Sequence, residues 1–177
     1  MRITKISVRN FRILQDSTLD FDRDLCLLLG RNNTGKTSFM VLIDKFLNTG
    51  DFNFNDFSVN LRKKFFAFDE TTDVNELAIQ LIMSIEYDEE DNLCHLSEFI
   101  LDLDPKCKTV NLLFECSVKK DKMLEGIKNI GSMPKDKFVT NNIKDYLQKK
   151  VYTFSSTEDL KSENRYKLIE NDFKDIE

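Results

Sequence analysis

The spacing Gly30-x-x-x-x-Gly35-Lys36-Thr37 constrains this chain more than any other feature. The run Gly30-Arg31-Asn32-Asn33-Thr34-Gly35-Lys36-Thr37 has the form of a phosphate-gripping loop, and its flanks suit one. The apolar run Leu25-Cys26-Leu27-Leu28-Leu29 ahead of it reads as a buried strand. Phe39, Leu42, Ile43 and Phe46 behind it recur at helical spacing.

The residue types follow from the chemistry. Gly30 and Gly35 let the backbone turn without a Cβ clash. The N–H groups between them can converge into an anion nest. A helix starting near Lys36 adds its unpaired amides and positive dipole end. Lys36 is expected to reach the β- and γ-phosphates of a nucleotide, and the Thr37 hydroxyl to ligate Mg²⁺. Asn32, Asn33 and Thr34 are small and polar, which suits tight backbone geometry. Arg31 and Ser38 complete the expected binding set.

Bulk properties narrow the rest. The 177 residues suffice for one domain with a real core. Charged residues at 32% and hydrophobic ones at 41% are globular proportions. A net charge of −5 argues against binding nucleic acid by bulk charge, leaving only a local patch. No apolar run is long enough to span a membrane, and Met1-Arg2-Ile3-Thr4-Lys5 has no secretory core, so a cytoplasmic location is expected. Cysteines 26, 94, 107 and 116 form no C-x-x-C pair and read as free thiols in a reducing compartment. The one histidine, His95, follows the acidic run Asp88-Glu89-Glu90-Asp91 and reads as a surface residue.

Along the chain, Ile3 to Arg9 reads as a strand, and a second strand ends at Leu19-Asp20-Phe21. The helix from Lys36 is expected to stop near Asn48-Thr49-Gly50. Asp51 to Phe57 reads as a loop with aromatic anchors, followed by a short helix over 56–64. Three alternating runs predict half-buried antiparallel strands: Leu77 to Tyr87, Phe99 to Leu103, and Val110 to Val118. After Lys119 the period turns helical, at Met123, Ile127 and Ile130 and again at Ile143, Tyr146 and Leu147. A short strand is expected over 151–154, then a capping box at Ser155 and Glu158, and a last helix through Ile169, Phe173 and Ile176. The reading is an α/β fold with a mixed sheet, the phosphate-loop strand at its centre. Residues 1–50 would form the nucleotide core, 75–118 an antiparallel layer, and 119–177 a mainly helical part.

The stretch Ile3-x-x-Ile6-x-Val8-Arg9-Asn10-Phe11-Arg12, the strand ending Leu19-Asp20-Phe21, and Leu28 to Ser38 together resemble the amino-terminal end of the RecF/SMC-like branch of ABC-type ATPases. Within that branch the chain most resembles the OLD family, on Gly30-Arg31-Asn32-Asn33 and the alternating strands from Leu77 to Val118. The resemblance implies ATP and Mg²⁺ as ligands and head-to-tail dimers. It also implies a role in DNA processing or anti-phage defence, with nucleic acid reached through the full complex, often beside a Toprim-type nuclease. It further places the loop at Asn10, Phe11 and Arg12 near the nucleotide; read bottom-up, Phe11 is a core aromatic and Arg12 a solvated charge. The family's glutamine loop, Leu-Ser-Gly-Gly signature, Asp-Glu pair after an apolar strand and switch histidine are not recognisable. The expectation is the amino-terminal portion of an ATPase, which binds ATP but needs further motifs and dimerisation to hydrolyse it.

Two other readings compete. Phe65-Phe66-Ala67-Phe68-Asp69-Glu70 has the form of a Walker B strand, and would make the chain a self-contained small kinase or GTPase. Yet no Asn-Lys-x-Asp guanine motif exists, and the seven arginines do not cluster. Alternatively, the loop serves a non-enzymatic nucleotide-binding scaffold, a reading that the intact Lys36 and Thr37 oppose.

Overall fold

A computed structural model describes residues 1–23, 29, 31, 34–48, 50–88, 90–91, 99–100, 108–154 and, by backbone only, 167–169. Its frame is a six-stranded sheet in which every described pairing is antiparallel. The strands are β1 (Arg2–Phe11), β2 (Leu14–Asp20), β3 (Ile79–Glu86), β4 (Thr109–Val118), β5 (Leu147–Phe154) and β6 (Lys167–Ile169). They lie in the order β2-β1-β3-β4-β5-β6. The strand expected at 25–29, which would have made the sheet mixed, lies outside the described residues apart from Leu29.

Side-chain alternation sets the register, because a one-residue slip would turn the apolar face to solvent. Val8 stands beside Leu81, Leu81 beside Phe114, and Phe114 beside Val151. The neighbouring row is Ile6, Met83 and Leu112. On this face packs helix α1 (Lys36–Leu47), which buries Phe39, Leu42 and Phe46 at helical spacing. Phe46 meets Phe114 of β4 at 5.9 Å between ring centroids and Phe52 at 4.9 Å, and Phe52 meets Phe11 edge-on at 6.4 Å. These aromatics join α1, the loop after it, β1 and β4 into one core.

Smaller helices close the rest: α2 (Val59–Phe66), α3 (Lys120–Lys128) and α4 (Lys135–Asn142). They contribute Leu61, Phe65, Met123 and Val139 to the core. No helix among the described residues is long and apolar enough to cross a membrane.

The carboxy-terminal expectations need correction. The helix predicted around Ile143, Tyr146 and Leu147 is α4 followed by a 3-10 turn, Ile143–Tyr146, and Leu147 already opens β5. Residues 119–154 are therefore two short helices and a long strand. Ile169 belongs to a strand paired with Val151, not to a helix; Phe173 and Ile176 lie outside the described residues, as do Ser155, Glu158, His95 and the cysteines other than Cys116. Phe99 lies in a turn and Ile100 is in neither helix nor strand, and the rest of the strand expected there is outside the described set.

Candidate functional site

Helix α1 begins abruptly. Gly35 is its N-cap, at φ 96° and ψ 1°, a left-handed conformation that L side chains resist. A Cβ there would lie 2.5 Å from Leu14 Cδ2, so a side chain would also require the end of Leu14 to shift. The first bond of the helix runs from Phe39 N to Gly35 O at 3.0 Å, which leaves the amides of Thr37 and Ser38 ahead of the intrahelical ladder. No acidic residue sits in the first turn, so nothing there offsets the positive end of the helix dipole.

The loop folds over this helix end. Lys36 Nζ donates to Arg31 O at 2.8 Å, and Thr34 Oγ1 donates to the same carbonyl at 2.9 Å. Lys36 thus bridges its own loop, with its ammonium at the entrance to the first turn. A cavity of about 530 Å³ opens here, lined by 34–38 and by Arg12 and Ile13 of the β1–β2 turn. That volume is within the roughly 300–1,000 Å³ of small-molecule sites. The cations, the helix amides and the glycine-shaped wall make a surface for a polyanion, and the Thr37 hydroxyl on the first turn is placed where a phosphate-bound Mg²⁺ could use it.

The predicted residues divide. Arg31, Thr34, Gly35, Lys36, Thr37 and Ser38 come together at this helix end. Gly30, Asn32 and Asn33 lie outside the described residues. Of the Asn10-Phe11-Arg12 element, only Arg12 lines the cavity. Phe11 is fully buried, a core aromatic rather than a wall of the cavity. Asn10, at φ 66°, donates through Nδ2 to Ala78 O at 2.8 Å, and so braces the kinked end of β1.

The Walker B alternative does not survive the geometry. Phe65 and Phe66 close α2 rather than forming a strand. Asp69 accepts hydrogen bonds from Thr71 and Thr72 in an exposed turn; these bonds, the Thr71 hydroxyl foremost, hold its carboxyl below the usual range. Glu70 pairs with Lys128 of α3 at 3.1 Å. Neither carboxylate lines the cavity at α1.

Sequence reasoning missed three participants. Ile13, an exposed apolar residue, forms part of the cavity wall. Asp56 and Lys45 stand behind Arg12: Asp56, 1% exposed, is ion-paired to Arg12 Nη2 at 2.9 Å and to Lys45 Nζ at 3.1 Å. The only local signal was Asn53-x-x-Asp56, which forms a capping box around a 3-10 turn.

No curated protein matches the sequence. The family model of the AAA ATPase domain matches residues 1–177. The glycine-headed start of α1, which carries Lys36 and Thr37, agrees with that match, and the chain belongs to the AAA ATPase domain family.

Proposed function

We propose that this chain is the ATP-binding part of an ABC-type ATPase of the OLD kind, serving DNA processing or anti-phage defence. The observation that carries the nucleotide reading is the left-handed Gly35 at the head of α1, with Lys36 and Arg12 on one cavity. Lys36 would exchange its bond to Arg31 O for phosphate oxygens, and Thr37 would hold Mg²⁺ together with those oxygens. Gly30, Asn32 and Asn33 would supply backbone amides to the same phosphates. Bound Mg²⁺ supplies charge neutralisation of the phosphates. The residues of the chain bind and orient; no carboxylate among the described residues lining the cavity is placed to polarise a water.

A working ATPase of this kind would need a water-orienting carboxylate and a second surface over the phosphates, from a head-to-tail copy or the remaining part of the ATPase. Nucleic acid would then be engaged through the full complex. We therefore expect binding with negligible turnover. Fluorescent ATP analogue should bind with Mg²⁺, and Lys36→Ala should weaken it roughly 10–100-fold, the size of one or two charge-assisted hydrogen bonds. Phosphate release above roughly one turnover per minute, lost in Lys36→Ala, would refute the binding-only reading. Unchanged affinity in a folded Lys36→Ala protein would instead leave the scaffold reading standing.

A further inference from the structure

The cation opposite the loop is held by a device of its own. Arg12 lies in the left-handed region at φ 51°, which costs a non-glycine residue about 1–2 kcal/mol. Such conformations persist where the surroundings over-determine them. Here they do: Arg12 N donates to Asp56 O at 2.8 Å, and Arg12 Nε and Nη2 both donate to Asp56 Oδ1, at 3.1 and 2.9 Å. The other carboxylate oxygen, Oδ2, meets Lys45 Nζ at 3.1 Å and accepts from the Asn53 amide at 3.0 Å.

The balance of this cluster is uneven. One buried carboxylate contacts two cations, Arg12 and Lys45. A buried carboxylate needs such partners, yet a single one does not neutralise both. Lys45, in the last turn of α1, is largely enclosed, whereas the Arg12 side chain is 38% exposed and lies on the cavity wall. Arg12 spends Nε and Nη2 on Asp56, and Nη1 takes no part in that pair. The excess positive charge therefore faces the cavity, in a guanidinium whose orientation is fixed from behind.

We propose that Asp56 is a positioning residue for the nucleotide site: it aims Arg12 at a phosphate group in the cavity and ties that arm to α1 through Lys45. The proposal rests on the ATP-site reading above. Its consequence is that Asp56 strengthens nucleotide binding without touching nucleotide, and only through Arg12.

A double-mutant cycle on nucleotide affinity tests this. Affinity for fluorescent ATP analogue with Mg²⁺ is measured for the full chain, Asp56→Asn, Arg12→Met and the double variant, each checked by circular dichroism. Asp56→Asn and Arg12→Met should each weaken binding about tenfold, and Asp56→Asn should add less than about twofold once Arg12 is gone. A full Asp56→Asn effect in the Arg12→Met background would make Asp56 a merely structural ion pair and overturn the proposal. So would unchanged affinity in folded Asp56→Asn. If Asp56→Asn fails to fold, the wild-type Arg12 Nε–H resonance, identified by its loss in Arg12→Lys, is followed instead. It should exchange slowly and shift on adding nucleotide; a resonance unmoved at saturation overturns the proposal. Wild-type protein that binds no nucleotide sinks both this inference and the ATP-site reading, whereas the other adverse results sink only the role of Asp56.

Discussion

Gly35 shows how one residue can carry both a fold and a site. Its positive φ starts α1, and its missing side chain leaves room for Leu14. Gly35→Ala should lower stability by about 1–3 kcal/mol, combining left-handed strain with overpacking against Leu14. A fall in thermal midpoint, followed by circular dichroism, checks it; an unchanged midpoint would mean that Leu14 moves aside freely. Cys116 makes a different residue-scale argument. It is fully buried, and burial pushes its thiol up to about 12, with Lys149 pulling weakly the other way. An unperturbed thiol ionises at 9.0, so the folded state holds its proton more tightly. Its stabilising term is whole below that value and is lost as pH rises toward 12. Lys149, whose ammonium is lowered mainly by burial, contributes with opposite sign: its term is present above the unfolded lysine value and lost as pH falls. Comparing wild type with Cys116→Ala isolates the thiol. Between about pH 9 and 11 the urea midpoint of the wild type should fall more steeply than that of the variant.

At the scale of elements, α1 is fastened at both ends. Its start is the glycine turn, and its last turn is held from the sheet. Lys149 of β5 donates through Nζ to Lys45 O at 2.8 Å and to Gly50 O at 2.7 Å. Helix-end carbonyls need such partners. Lys149→Met keeps the aliphatic stem and removes both donors, and should lower stability by about 1–3 kcal/mol. A lower urea midpoint with an unchanged slope is the expected result; an unchanged midpoint would show that water replaces the ammonium without penalty. The same lysine explains why β5 was only half legible. Sequence pattern counts Lys149 and Lys150 as polar surface and starts the strand at Val151. The structure spends Lys149 on a tertiary contact with residues about a hundred positions earlier. Strands β3 and β4 were legible because alternation is a local record of a one-sided core. The start of α1 was legible for a similar reason: Gly35 and the apolar spacing of Phe39, Leu42 and Phe46 answer to one helix and the face it buries. Asp56 was not, because its partner Arg12 stands 44 residues away, and the Asn53-x-x-Asp56 pattern around it signals only a local turn. The terminal helix misread at Ile169 shows the converse failure, since apolar spacing alone does not separate a strand edge from a helix face.

For the molecule as a whole, the question is whether the nucleotide end can loosen independently of the sheet. The aromatic chain Phe11, Phe52, Phe46 and Phe114 argues that it cannot. It passes from β1 through the loop after α1 and α1 itself to β4. Two cations, Lys45 and Lys149, also lie over the Phe52 ring, each at 5.4 Å. Phe46 is the member that belongs to the phosphate-loop helix, and it is fully buried. Phe46→Ala should remove about 3–5 kcal/mol, a large part of the roughly 5–15 kcal/mol that holds a typical domain. The loss should be global. Three of the four tyrosines, Tyr87, Tyr146 and Tyr152, lie in or directly beside β3 and β5, so tyrosine fluorescence reports the sheet while far-ultraviolet circular dichroism reports helix content. In urea, both signals of Phe46→Ala should move together to a lower midpoint, as in a single cooperative transition. If helix signal is lost first and tyrosine later, α1 and its loop form a separate cooperative unit. Affinity for nucleotide would then be set by local ordering of that unit, and Phe46 would act on binding more strongly than on the stability of the sheet.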